Sequence, residues 1–70
     1  MIKSSRKRHN LTQKELAFRC NLSQSYLSKL ENKKFSNVTI EQIITLSKVL
    51  KLNPVHLAKY FIDININKDR

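Results

Sequence analysis

Four times along the chain an apolar residue is followed by a helix-capping residue and, four positions after that cap, by a second apolar residue. The sets are Leu11-Thr12 with Leu16, Leu22-Ser23 with Leu27, Val38-Thr39 with Ile43, and Leu52-Asn53 with Leu57. Each has the spacing of a hydrophobic staple closing over a capped helix start. Glu15 and Gln42 stand three residues after Thr12 and Thr39, where a capping box places its returning side chain. Pro54 follows Asn53 at the first helical position, where a missing N–H costs nothing. The pattern predicts helices beginning near residues 13, 24, 40 and 54, and an earlier helix over residues 2 to about 9.

Apolar periodicity assigns each helix an inner face: Leu16, Ala17 and Cys20 on the second, Leu27 and Leu30 on the third, Ile40, Ile43, Ser47 and Leu50 on the fourth, Leu57 with Phe61 on the fifth. The expected fold is all-α, a compact bundle of five short helices. With no glycine and one proline, the chain must end its helices by other means. Asn10, Asn21 and Asn37 each open an Asn-x-Ser/Thr triplet, which as a glycosylation acceptor would imply secretion. The better reading is that Asn takes the left-handed conformation at a helix end and the Ser or Thr caps the next helix. Lys33 and Lys51 stand where glycine would be easier, which predicts two less stable turns. Helices two and three are joined by only Asn21-Leu22-Ser23, and Ala17 is small enough for the two backbones to approach. That combination is a helix-turn-helix.

Charge narrows the class of partner. Fourteen Lys and Arg against five Asp and Glu give a formal net charge of +9 over 70 residues, which favours a polyanion: nucleic acid first, an anionic membrane second. Residues 1 to 20 carry six basic side chains and one acid, whereas residues 61 to 70 are neutral, so the first half is the expected binding side. A membrane binder would oppose its cations to a bulky apolar face on one long helix, and these helices are short and separately capped. The chain is too small for a deep enzyme cleft. His9 and His56 are isolated, no Cys/His/Asp/Glu set has metal-ligand spacing, and no nucleophile has a plausible base, so no enzyme activity, metal or cofactor is expected. Lone Cys20 on an apolar face reads as a small core filler. No apolar run is long enough for a signal peptide or membrane span, which points to the cytoplasm.

The motifs resemble the lambda-repressor-like family of Cro and xenobiotic-response-element (XRE) type helix-turn-helix regulators. The resemblance is carried by Leu11-Thr12-Gln13-x-Glu15-Leu16-Ala17, by Leu22-Ser23-x-Ser25-Tyr26-Leu27-Ser28-x-Leu30-Glu31, by Thr39-Ile40, and by Leu46-Ser47-x-x-Leu50 with Leu57. It covers residues 2 to 61 and departs where Asn21, Lys33 and Lys51 replace turn glycines and Ser5 replaces a larger apolar residue. It implies a small bacterial or phage-type transcriptional regulator, nucleoid-associated, that binds double-stranded DNA as a homodimer on a two-fold symmetric operator. No small-molecule ligand is evident.

On a helical wheel Gln24, Ser25, Ser28, Lys29 and Asn32 share one face, opposite Tyr26, Leu27, Leu30 and Glu31. A face turned to base edges needs donors and acceptors and no carboxylate beside the phosphates. By resemblance the third helix, about residues 24–32, lies in the major groove, with Gln24, Ser25, Ser28 and Lys29 facing bases. Gln13, Ser23, Tyr26, Asn32, Lys33 and Lys34 are then expected on phosphates, Tyr26 equally suited to packing inward. The resemblance also pairs Glu31 with Arg6.

Residues 1–61 form the expected DNA-binding domain and residues 62–70 a tail. Val49, Tyr60, Phe61, Ile62, Ile64 and Ile66 are surplus apolar residues, a candidate dimer interface. Ile62-Asp63-Ile64-Asn65-Ile66-Asn67 alternates with period two, a strand pattern that needs a partner to persist. Either the tail meets a second chain or it frays. The rival function is an antitoxin or other protein-binding module whose DNA binding is secondary; an antitoxin usually carries an extra segment, and the nine residues 62–70 are few for one.

Overall fold

The computed structural model describes residues 1–35 and 37–68. They form five helices and no strand: α1 (Ile2–Arg8), α2 (Gln13–Arg19), α3 (Gln24–Glu31), α4 (Ile40–Leu50) and α5 (Pro54–Lys68). The chain divides into two compact units, Met1–Phe35 with α1 to α3 and Ser36–Arg70 with α4 and α5.

Helix starts follow from local chemistry. Thr12 N–H donates to Glu15 Oε1 at 2.9 Å while Glu15 N–H donates to Thr12 Oγ1 at 3.0 Å, closing a capping box at α2. Thr39 and Gln42 repeat it at α4 with 3.1 and 3.0 Å. Ser23 Oγ accepts from Tyr26 N–H at α3, and Asn53 Oδ1 accepts from Val55 N–H at α5.

The ends of α1 to α4 share one device. Asn10, Asn21, Lys33 and Lys51 have φ of 57°, 55°, 60° and 54°. After each, the next N–H reaches back five residues to a helix carbonyl: Leu11 to Arg6, Leu22 to Ala17, Lys34 to Lys29 and Leu52 to Ser47, at 2.8 to 3.1 Å. This is the long bond of a Schellman motif. In three of the four the reaching residue is a leucine that also precedes the next N-cap, so one side chain closes a helix and opens another.

In the first unit α2 and α1 both pack on α3. Its buried residues are Ile2, Ser5 and Arg6 from α1, Leu16 and Ala17 from α2 with Cys20 at its C-terminal cap, Leu27 and Leu30 from α3, and Phe35. Ser5, which stands where the resembled family pattern has a larger apolar side chain, is buried with its hydroxyl accepting from Arg8 Nη2 at 3.1 Å. Burial pushes the Cys20 thiol up from its usual value.

In the second unit α4 packs on α5. Leu46, Ser47, Leu50, Leu57 and Phe61 are buried, and Ser47 Oγ donates to Ile44 O at 2.7 Å. Two expectations are corrected here. Ile40 is not a core residue but 77 % exposed: it is the first residue of α4, and a helical side chain leans toward the N-terminus, here off the end of the helix. Residues 62–68 are not a strand-like tail, because α5 runs unbroken to Lys68. Its burial follows a helical stripe, with Leu57 and Phe61 buried and Ile64 and Asn65 half-buried. Extending an existing helix fixes one residue per hydrogen bond, which suffices for this polar segment. Asp69 and Arg70, the end of the expected tail, lie outside the described residues.

Candidate nucleic-acid interface

The outward side of the helix-turn-helix is a shallow groove of about 460 Å³ lined by Gln13, Gln24, Ser25, Ser28 and Lys29. Four of the five come from the exposed face of α3, and Gln13 reaches in from the first residue of α2. The four residues expected on bases are thus brought together, and no carboxylate lines the groove. Lys29 is its cation, and Ser23, whose Oγ is committed to the α3 cap, stands at the helix entrance. Lys33 and Lys34 are exposed just past the end of α3.

Asn32 and Tyr26 are placed differently from the rest. Asn32 Nδ2 donates to Ser28 O at 2.9 Å and lies 3.4 Å from Ser28 Oγ, so this side chain folds back over the last turn of its own helix. Tyr26 is half-buried.

Behind the groove lies a buried ion pair. Arg6 Nε donates to Glu31 Oε2 at 2.8 Å and Arg6 Nη2 to Glu31 Oε1 at 3.2 Å, while Arg6 Nη1 donates to Leu11 O at 2.9 Å. The two side chains are 11 % and 2 % exposed. The pair ties α1 to α3, and the third bond holds the turn that leads into α2. Arg6 occupies the inward i+4 slot of the stripe Ile2-x-x-Ser5-Arg6, which is why the chain can spend a basic residue on the interior.

Two features escaped the sequence reading. Gln13 Nε2 donates to Glu31 Oε1 and Gln24 Nε2 to Gln13 Oε1, each at 3.4 Å, so the ion pair and the groove are joined through Gln13. Nothing in the spacing of residues 13, 24 and 31 signals this. Phe18 is 86 % exposed and with Lys14, Glu15 and Arg19 lines an apolar depression of about 480 Å³ on the outer side of α2. A helical wheel shows that one, since Phe18 lies four residues after Lys14 and away from Leu16 and Cys20.

A family model described as Helix-turn-helix matches residues 2–57 of the chain. The chain belongs to the lambda-repressor-like helix-turn-helix family. Its members are DNA-binding regulators, of the Cro and XRE type, and the all-α architecture with α2 and α3 as the helix-turn-helix is that of the family. No curated protein and no solved structure matched the chain. Among the described residues of this family member no helix is long and apolar enough to cross a membrane, and no three His, Cys, Asp or Glu are grouped to hold a metal ion.

Proposed function

We propose that this chain is a sequence-specific regulator of the cytoplasm that binds double-stranded DNA as a homodimer on a two-fold symmetric operator. α3 enters the major groove with Gln24, Ser25, Ser28 and Lys29 toward base edges. The observation that carries this is the acid-free groove formed by those four side chains with Gln13. Gln13, Ser23, Lys33 and Lys34 frame it and supply donors for phosphates, Tyr26 adding its hydroxyl if its ring swings outward; Asn32, folded onto Ser28, contributes least.

The homodimer is assigned to α5. Val55, Ile62 and Ile66 are 72 %, 55 % and 53 % exposed and stand seven and eleven residues apart from the first, one side of the helix. Of the candidate interface residues only Ile62 and Ile66 lie on this stripe; Phe61 is buried, Tyr60 and Ile64 are half-buried on the opposite side of α5, and Val49 is half-buried on α4.

Selection from random double-stranded DNA at physiological salt tests the reading. A two-fold symmetric site with half-sites about ten base pairs apart supports it. The second reading, a protein-binding module with secondary DNA binding such as an antitoxin, is favoured by exposed Phe18. It gains the field if no sequence is enriched and binding to all DNA is weak and steeply salt-dependent.

A further inference from the structure

A glutamine amide has two unlike ends, a carbonyl that accepts and an amino group that donates, and turning it over exchanges them. What holds Gln24 in one sense therefore bears on which base edge it matches.

Glu31 provides that hold at one remove. Its side chain is 2 % exposed and both carboxylate oxygens accept from the Arg6 guanidinium. An ionised carboxylate can only accept, so Gln13, whose amide reaches Glu31 Oε1 at 3.4 Å, has to present Nε2 to it. That turns Gln13 Oε1 toward α3, where only a donor fits, and Gln24 meets it with Nε2 at 3.4 Å. The sequence of acceptor, donor, acceptor and donor is fixed by the one charge at its buried end.

We propose that Glu31, acting through Gln13, is a specificity-determining positioning residue: it fixes the order of donor and acceptor that Gln24 carries into the groove. This rests on the reading of α3 as the base-contacting helix. Adenine offers an acceptor and a donor side by side and suits an amide held in one sense. Guanine offers two acceptors and cytosine one donor, and an amide free to turn over meets either with whichever end fits. The buried carboxylate narrows the choice at one position of each half-site without touching DNA.

The test is selection from random DNA with the wild-type chain and the variants Gln13→Met, Glu31→Gln and Gln24→Ala, each first checked for helical content. Met keeps the length of Gln13 and removes both ends of its amide, and a neutral Gln at 31 lets Gln13 turn over. At the position that Gln24→Ala alters, Gln13→Met is expected to lower the ratio of the preferred base to the next by about fivefold, the scale of one hydrogen bond. Glu31→Gln, if it folds, should relax the same position. A Gln13 whose role is only to grip phosphate would weaken every sequence alike and leave that ratio unchanged; such a result overturns the proposal while leaving the base-reading role of α3 intact. A Gln24→Ala chain that selects the wild-type site at every position overturns both.

Discussion

Lys51 is held at φ 54° with no functional reason in sight, and for a residue with a Cβ that conformation costs about 1 to 2 kcal/mol. Glycine removes the cost but adds about 0.5 to 1 kcal/mol of unfolded-chain freedom. Lys51→Gly is therefore expected to stabilise the chain by up to about 1 kcal/mol, raising Tm by about 4 to 8 °C in a thermal melt followed by circular dichroism. Lys33→Gly should gain similarly in stability yet lose DNA affinity if Lys33 grips phosphate, and the contrast separates the two roles. The opposite sign holds for Glu31→Gln. It leaves the Arg6 guanidinium, only 11 % exposed, facing a neutral amide, and should cost more than about 1 kcal/mol in the same melt. These positions differ in how far the sequence revealed them. Lys33 and Lys51 are legible because left-handed turns are set by neighbours one or two residues away. Arg6 is one of three consecutive basic residues, and only the inward stripe of Ile2 and Ser5, together with the family pattern, singles it out to meet a carboxylate 25 positions on.

Local chemistry also explains why four of the five helix starts were legible from their caps and one helix end was not. A cap, a staple and a box lie within five residues of each other, so Thr12, Ser23, Thr39 and Asn53 mark their helices unaided. α5 has no left-handed residue between Phe61 and Lys68 to stop it, and an Ile/Asn alternation of period two is as compatible with a helix as with a strand once about two turns precede it. The capping box of α2 makes a pH prediction. The Thr12 backbone N–H, then the Thr12 hydroxyl and the Arg19 charge, hold the Glu15 carboxyl below its usual value of 4.5. A depressed carboxylate contributes stability that is full above the unfolded value and is lost as pH falls through the lower, folded value. Stability should therefore fall as pH drops below about 4.5, and Glu15→Gln, which keeps the acceptor without the charge, should show a flatter acid limb. At α5 the exposed stripe predicts association: Ile62→Lys with Ile66→Lys should shift the chain to monomer in light scattering, helical content unchanged. A dimer that survives both substitutions places the interface elsewhere.

For the whole molecule the decisive quantity is how much of the +9 charge meets phosphate. Residues 1–35 hold nine of the fourteen cations and only two acids, and one of those acids, Glu31, is neutralised by Arg6. The groove of α3 is edged by Lys29, with Lys33 and Lys34 exposed beyond it. If Lys33 and Lys34 each displace one counterion in each half-site, a dimer neutralises about four phosphates and the slope of log K against log salt is about −3.6. Lys34→Gln would remove one contact per protomer and bring that slope to about −1.8, weakening all sequences alike because a phosphate carries no base information. Lys29→Gln differs in kind: a residue facing bases should change which sequence is selected more than it changes the slope. A salt titration of all three proteins on the selected site and on unrelated DNA checks this. Equal slopes for wild type and Lys34→Gln would remove Lys34 from the interface and leave Lys33 with the exposed cations of α1, Lys3, Lys7 and Arg8, as the charge that meets the duplex.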